Sequence, residues 1–212
     1  MRKLPVYILL DTSGSMTGEP IEAVRNGMQT LLSALRQDPH ALESAYLSVI
    51  TFAETAQQAV PLTELGLFQL PALHASGTTA LGGALQLLAQ RVDQEVVRNS
   101  AEQKGDWKPI VFLMTDGDAT DDLDAGIAAI KRAGIGALIA CAAGPHAKVE
   151  QLKRLTDSVV KLDTADSNTI RAFFKWVSAS IATTSQKVDL NKKESNGLTD
   201  LPPPPPEVNV VM

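Results

Sequence analysis

The sequence contains one cysteine and three histidines among 212 residues. A single cysteine, Cys141, excludes an intrachain disulfide and a cysteine-based zinc site. It lies in an apolar run, where a buried thiol that behaves as a small hydrophobe is expected. The histidines, His40, His74 and His146, are scattered over segments predicted as loops. Chemistry that depends on a thiol or on clustered imidazoles is therefore not predicted.

Long apolar runs and basic stripes are also absent from the sequence. No run reaches the roughly 18 apolar residues of a membrane-spanning helix. The apolar run that follows Arg2 and Lys3 is too short for a signal peptide and ends at Asp11. The net charge is −5, with both signs mixed along the chain, which argues against a nucleic-acid interface. We expect a cytoplasmic protein that binds neither membranes nor nucleic acid.

What the sequence does contain is an alternation of short apolar runs with segments of helical periodicity. Strands are predicted at residues 4–10, 45–52, 57–61, 110–114, 135–142 and 159–162. Helices are predicted at residues 21–35, 81–92, 123–130, 148–156 and 170–181. This order predicts an α/β fold, a doubly wound, mostly parallel central sheet with helices on both faces. The second and third strands are expected to form a hairpin, which gives one antiparallel edge strand.

The last part of the chain, residues 184–212, has a different composition. It is polar and charged at first and then contains five consecutive prolines at residues 202–206. Such a segment cannot bury enough surface to fold alone, and its prolines favour an extended helix. We therefore predict one domain over residues 1–183 and a flexible proline-rich tail, whose deletion should leave the melting temperature nearly unchanged. The alternative is a tail that docks onto a partner protein.

Three predicted loops carry oxygen donors. Residues 11–15, Asp-Thr-Ser-Gly-Ser, follow the first strand, and residues 76–82 precede the second helix. Residues 115–118, Thr-Asp-Gly-Asp, follow the strand predicted at 110–114. A doubly wound fold brings loops of this kind together at one rim of the sheet. Carboxylate and hydroxyl oxygens suit a hard divalent cation, so the pattern predicts a metal site.

Each loop also has a competing interpretation. Asp11 and the hydroxyls after it could cap a helix, and so could Thr78 and Thr79. Asp116 with Gly117 could form only a turn. The order of all three loops, each in a strand–loop–helix context, favours the metal site. Four further acids could open the third helix or, as an alternative, attract a second cation or a basic partner: Asp118, Asp121, Asp122 and Asp124.

The motifs Asp-x-Ser-x-Ser, Thr-x-x-Gly and Thr-Asp-Gly, in this order, resemble the von Willebrand factor A domain over about residues 4–183. That family's metal-ion-dependent adhesion site, or MIDAS, uses these elements. The resemblance implies the following ligands: Asp11, Ser13, Ser15, Thr79 and Asp116. Thr78 replaces Thr79 if the register shifts by one residue. The loops also resemble the bacterial TerY and YegL branch, which is linked to tellurite resistance.

The predicted ligand set leaves a divalent ion incompletely coordinated. Mg²⁺ takes about six oxygens, and the protein supplies at most five, of which only two are carboxylates. An Asp or Glu from a partner protein could fill the open position, and a chelator would then abolish binding. The hydroxyl-rich loops favour Mg²⁺, with Mn²⁺ and Ca²⁺ as alternatives.

These observations predict a non-enzymatic, metal-dependent protein-binding adaptor or scaffold. The resemblance implies a stress or tellurite-resistance setting, with a kinase, a phosphatase or other tellurite-resistance proteins as partners. The alternative is a metal-dependent phosphatase or phosphotransferase with Asp11 as nucleophile. That alternative needs a lysine near the metal, and Lys131 and Lys161 are not predicted in strand-end loops. A third possibility is an ion that only stiffens the rim.

Overall fold

The computed structural model describes residues 2–189 and 198–211, without the side chains of residues 188 and 189. The strands of this part of the chain are β1 Leu4–Asp11, β2 Ala45–Phe52, β3 Ala56–Glu64, β4 Ile110–Thr115, β5 Ala137–Ala143, β6 Val159–Leu162 and β7 Asn209–Val211. The α-helices are α1 Glu19–Arg36, α2 Pro39–Ser44, α3 Leu81–Glu95, α4 Leu123–Arg132, α5 Val149–Leu155 and α6 Ser167–Asp189. Short 3-10 turns occupy Gly14–Met16 and Leu198–Asp200.

All seven of these strands form one sheet in the order β3-β2-β1-β4-β5-β6-β7. The five central strands are parallel, and β3 runs antiparallel to β2 at one edge. This confirms the predicted doubly wound α/β fold. The structure adds β7, which pairs antiparallel with β6 at the other edge. The short helix α2, which begins with Asp38 as its cap, was also not predicted.

Helices cover both faces of the sheet because the strands are apolar on both sides. All eight residues of β1 are buried. Leu4, Val6, Ile8 and Leu10 join a core with α1 and α6, whereas Tyr7 and Leu9 join a second core with α3 and α4. Alternate residues of a strand point to opposite faces, so a strand between two helical layers has to be apolar throughout. Within the described residues, no helix is long and apolar enough to cross a membrane.

The strand order places a crevice at the carboxyl ends of β1 and β4. The chain leaves β1 toward β2 on one side and returns to β4 on the other side, so the winding direction reverses between these two neighbours. Ligands of open α/β sheets bind at such a reversal. The loops predicted to bind metal, residues 11–15 and 115–118, begin at these strand ends.

The prediction of a flexible tail from residue 184 is wrong for its described part. Helix α6 continues to residue 189, and residues 198–211, which we call the strap, pack against α6 and β6. Leu201 and Val208 of the strap are 8% and 3% exposed, and the indole N–H of Trp176 donates to the Pro202 carbonyl at 2.8 Å. The strap does not need to fold alone, because α6 and β6 supply the surface. Residues 190–197 and 212 lie outside the described residues.

Candidate metal centre

We call the edge of the sheet formed by residues 11–15, 76–82 and 115–118 the rim. Asp11 is its most deeply buried acid. It ends β1 and is only 1% exposed. Its Oδ1 accepts the backbone N–H of Ser13 at 2.8 Å, and its Oδ2 accepts the hydroxyl of Thr115 at 2.6 Å. These bonds fix the carboxylate between the first and third loops. Burial raises the pKa of the Asp11 carboxyl above its usual range, although the hydrogen bonds from Thr115 and Ser13 oppose this shift.

A chain of hydrogen bonds joins the first loop to the third. The hydroxyls of Ser13 and Ser15 lie 3.0 Å apart, and the Ser15 hydroxyl donates to Asp116 Oδ1 at 2.7 Å. Asp11 is linked to the same chain through its bond from the Ser13 amide. The structure therefore brings together four of the five predicted ligands, although they are up to 105 positions apart, from Asp11 to Asp116.

Backbone contacts hold the second loop against the first. The Gly14 N–H donates to the Gly77 carbonyl at 3.0 Å, and the Ser76 N–H donates to the Thr12 carbonyl at 2.8 Å. Gly77 has φ 74°, and a Cβ there would lie 2.7 Å from Glu54 Cγ. Only glycine fits this position without strain. Gly14 and Gly117, in the other two loops, do not have a positive φ.

Thr79 is the fifth predicted ligand, and its environment differs from that of Thr78. Thr79 is 6% exposed, and a Cβ added at Gly117 would lie 3.4 Å from Thr79 Oγ1. The Thr79 hydroxyl therefore lies against the third loop. Thr78 is exposed. The backbone of Thr79 is held from both sides by Thr120, whose hydroxyl accepts the Thr79 N–H at 3.1 Å and whose N–H donates to the Thr79 carbonyl at 2.9 Å.

Replacing the two threonines separately tests which hydroxyl contributes to metal binding. Thr79→Ala is expected to weaken Mg²⁺ binding about tenfold, which is about 1.4 kcal/mol, because it removes one oxygen donor. Thr78→Ala, which removes the same atoms one residue earlier, is expected to leave the affinity unchanged. Isothermal titration calorimetry with MgCl₂ on both variants measures the difference. A loss of affinity in Thr78→Ala alone would show that the register is shifted.

The acids that follow Asp116 each have a local partner. Asp121 accepts the backbone N–H groups of Gly82 and Gly83 at 2.8 and 2.7 Å, and Asp122 caps α4 by accepting the Ala125 N–H. Two other acids form exposed ion pairs, Asp118 with Lys148 and Asp124 with Arg154. These contacts agree with the helix-opening interpretation and do not favour a second cation.

The backbone of Asp122, at the start of α4, explains the glycine of the Thr-x-x-Gly motif. A Cβ at Gly82 would lie 2.2 Å from the Asp122 carbonyl oxygen, so α3 and α4 meet at their first turns without space for a side chain. The carboxylate of Asp121 satisfies two N–H groups that have no partner inside α3. The second loop is thereby positioned from its C-terminal side by residues 120–122, and from its N-terminal side by the first loop.

The donor set fits a hard cation that is held mainly by neutral oxygens. In the described part of the chain, no group of three or more His, Cys, Asp or Glu side chains is placed to hold a metal. An ion at this rim would therefore need hydroxyl oxygens in addition to the carboxylates of Asp11 and Asp116. A buried carboxylate without a counter-charge costs free energy, and a cation beside Asp11 would remove that cost.

A groove lies beside Asp116 that the sequence did not reveal. It has a volume of about 580 Å³ and is lined by Ser15, Asp116, Asp118, His146 and Lys148. His146 and Lys148 come from the loop after β5, and both are exposed. No motif marks this loop, and only the position of β5 next to β4 brings it to the rim. The groove therefore presents both positive and negative side chains beside the rim.

The fold and the rim define a class of protein, a doubly wound α/β domain with carboxylates and hydroxyls at its strand-reversal crevice. The family described as von Willebrand factor type A domain matches residues 6–176. The chain belongs to this family. Domains of the family are generally adhesion and interaction modules.

Individual relatives are more distant. The uncharacterized protein sll0103 of Synechocystis sp. is 30% identical over 124 residues, which are 55% of this chain and 26% of that protein. The von Willebrand factor type A structure from Catenulispora acidiphila is 20% identical with a TM-score of 0.63, covering 86% of this chain and 43% of its own. The chain thus spans about a quarter of the curated relative it matches. Identities this low between structures show the fold alone.

One relative is described with a metal. Proximal thread matrix protein 1 from the mussel byssus is 18% identical with a TM-score of 0.64, covering 85% of this chain and 48% of its own. A further structure of that protein has a zinc-occupied MIDAS motif, with a TM-score of 0.58 and the same 18% identity. These comparisons give no support to the TerY and YegL branch.

Proposed function

We propose that this protein is a metal-dependent protein-binding adaptor whose rim captures a carboxylate of its partner. The observation that carries the proposal is the hydrogen-bond chain from Asp11 through Ser13 and Ser15 to Asp116. Oxygens this close, on neighbouring loops at a strand reversal, support the binding of one small cation between them. The proposed ligands are Asp11, Ser13, Ser15, Thr79 and Asp116.

The proposed ion is a divalent cation, with Mg²⁺ favoured over Mn²⁺ and Ca²⁺. Hydroxyls and carboxylates are hard donors, which suits Mg²⁺ better than a thiol or imidazole site would. The zinc-occupied MIDAS motif of the mussel protein supports a divalent ion at this place in the fold. When bound, the ion would supply a Lewis-acidic position that a partner's Asp or Glu completes. The protein's own residues would orient the ion and leave that position toward solvent.

The alternative function, phosphoryl transfer with Asp11 as nucleophile, depends on a nearby lysine and on an accessible Asp11 carboxylate. Lys148 lines the groove beside Asp116, so a lysine is present at the rim, contrary to the sequence-based expectation. Asp11 is nevertheless 1% exposed, and each of its oxygens already accepts a hydrogen bond. A nucleophilic carboxylate needs an accessible oxygen for attack on phosphorus. We therefore propose binding rather than phosphoryl transfer.

The biological setting is a proposal that rests on the loop motifs alone. Their resemblance to TerY and YegL proteins favours a bacterial stress or tellurite-resistance system, in which a kinase, a phosphatase or another resistance protein would be the partner. Cytoplasmic localisation and the lack of nucleic-acid and membrane partners remain predictions from composition.

Loss of the two serine hydroxyls tests the proposal. Ser13→Ala with Ser15→Ala is expected to abolish capture of partner proteins that bind the immobilised protein in MgCl₂ and elute with EDTA. Mass spectrometry of the eluates identifies them. Ser33→Ala, which removes an exposed hydroxyl from α1, is the control and should capture the same proteins. Equal yields from the double variant, with its circular dichroism spectrum unchanged, would reject the proposal.

A further inference from the structure

A second cavity lies at the opposite end of the sheet from the rim. It has a volume of about 270 Å³ and is bounded by the ends of α3 and α4 and by the segment that leads into β4. We call it the basal cavity. Its lining includes Val92, Val96, Trp107, Arg98, Lys108 and Arg132. Trp107 and Lys108 directly precede β4, so the cavity lies at the amino ends of the parallel strands.

The wall of the basal cavity is held in place by its own hydrogen bonds. The Asp106 carboxylate accepts the backbone N–H of Lys3 at 3.1 Å and that of Val97 at 3.0 Å. The Asp106 N–H donates in turn to the Val97 carbonyl at 2.8 Å. Next to it, a Cβ at Gly105 would lie 2.4 Å from the Arg98 carbonyl carbon. The segment therefore packs backbone against backbone, and the cavity does not require a ligand to form.

The charge of the lining is opposite to that of the whole protein. Arg98, Lys108 and Arg132 are cationic, and Asp106 is the one acid of the lining, in a protein of net charge −5. Asp106 is already bonded to two backbone N–H groups. The C-terminal ends of α3 and α4 add about half a negative charge each, so together with Asp106 they leave the lining about one positive charge. The lining thus favours an anion.

The two arginines keep donors available at the mouth. Arg98 pairs with Asp93, but their side chains are 70% and 68% exposed. Ion pairs at the surface are weak. Arg132 uses its Nε for the Ala128 carbonyl at 3.2 Å. An arginine presents five N–H donors in a planar fork that matches a carboxylate.

Trp107 lines the basal cavity, although almost none of its surface is accessible. It is 2% exposed, and the Arg2 guanidinium lies 5.0 Å from its ring centroid. Its indole Nε1 is buried, with no acceptor among the residues that the structure describes. Val92 and Val96 complete the apolar part of the lining.

We propose that the basal cavity binds a small monocarboxylate with an apolar body, such as an aromatic or branched aliphatic acid. Val92 and Val96 contact the body, and the guanidinium groups of Arg98 and Arg132 bind the carboxylate at the mouth. The site is independent of the metal centre, since it lies at the other end of the strands. It would make this protein a receptor for a metabolite as well as for a protein partner.

The sequence has two tryptophans, Trp107 and Trp176. Their two indole N–H signals in a nuclear magnetic resonance spectrum therefore report on ligand binding directly. Sodium benzoate is titrated into ¹⁵N-labelled protein in EDTA, which prevents binding to metal at the rim. The Trp107 indole signal, assigned with Trp176→Phe, is expected to shift and saturate, while the Trp176 signal stays in place. Benzamide, which has the same shape without the charge, is expected to bind at least tenfold more weakly.

Charge-removing variants locate the carboxylate. Arg132→Gln and Arg98→Gln are each expected to weaken benzoate binding about tenfold or more, as loss of a charge-assisted hydrogen bond predicts. Arg171→Gln, an exposed arginine on α6, is the control and should bind normally. The proposal is overturned if no saturable shift occurs, if benzamide binds as tightly as benzoate, or if both glutamine variants keep full affinity.

Discussion

Without metal, Asp11→Asn is expected to melt at a higher temperature than the unmodified protein, and Mg²⁺ is expected to reverse the order. The carboxylate of Asp11 is buried with no counter-charge beside it among the residues that the structure describes, which destabilises the metal-free fold. Asparagine has nearly the same shape. Its carbonyl can accept the Ser13 N–H, and its amide can donate to the Thr115 hydroxyl, where Asp11 now accepts. The variant therefore keeps both contacts and loses the charge.

Mg²⁺ is expected to reverse the order because the variant lacks the Asp11 carboxylate of the proposed site. At a Mg²⁺ concentration about 100 times its dissociation constant, binding adds about 2.7 kcal/mol. That corresponds to a rise of roughly 5 to 10 °C for a protein of this size. Asp11→Asn should show almost no rise. Differential scanning calorimetry in EDTA and in MgCl₂ measures both effects, and Asp118→Asn, the same change at a half-exposed acid of the rim, is the control.

The dependence on pH gives the same experiment a second readout. Burial raises the pKa of the Asp11 carboxyl in the folded protein. Its ionisation therefore costs folding stability as the pH rises through that pKa, and protonation restores the stability as the pH falls. The advantage of Asp11→Asn without metal should be largest at neutral pH and should shrink on acidification. An equal advantage at every pH, or a lower melting temperature at neutral pH, would contradict this account.

The sequence was sufficient for the parts of the fold that are set by local pattern. Strands β2 and β6 have their predicted bounds, because apolar runs between turn-forming residues are buried strands wherever helices cover both faces. The rim donors were also predictable as a group, since Asp11 and Asp116 follow directly on apolar strands. A doubly wound fold was expected to bring such loops together, and the observed strand order makes the ends of β1 and β4 neighbours.

Features that depend on long-range contact were not predictable. Gly77 needs to be glycine because Glu54 lies beside it, and no local pattern shows that contact. Lys148 reaches the rim only because β5 is next to β4. The strap was misread for the same reason. Its composition describes a chain that cannot fold alone, whereas its burial depends on Trp176 and on the open edge of β6.

Deleting residues 198–212 is expected to lower the melting temperature by a large amount, contrary to the sequence-based prediction. Leu201 and Val208 are buried, and burial of each is worth roughly 1.5–3 kcal/mol. The bond from Trp176 to Pro202 adds about 1 kcal/mol. A loss of this size corresponds to a fall of roughly 10 to 20 °C for a protein of about 200 residues, which thermal denaturation followed by circular dichroism measures.

The deletion also exposes an edge that the strap covers. Strand β7 pairs with β6 through Val159, Val160 and Lys161, and a bare edge strand offers unpaired backbone groups to another chain. Size-exclusion chromatography is expected to show dimers or larger species of the truncated protein and a smaller species of the intact one. An intact monomeric profile and a melting temperature within about 2 °C, less than 1 kcal/mol, would mean that the strap contributes nothing.

A pair of single substitutions separates burial from truncation. Val208→Thr places a hydroxyl at a position that is 3% exposed, whereas Val210→Thr makes the same change at a position that is 48% exposed. The first is expected to cost roughly 1–3 kcal/mol, and the second should be close to neutral, since threonine is also a good strand former. Equal small effects would show that Val208 is not part of the core. A large effect at Val208 alone ties the stability of the domain to a segment whose composition, taken by itself, predicts disorder.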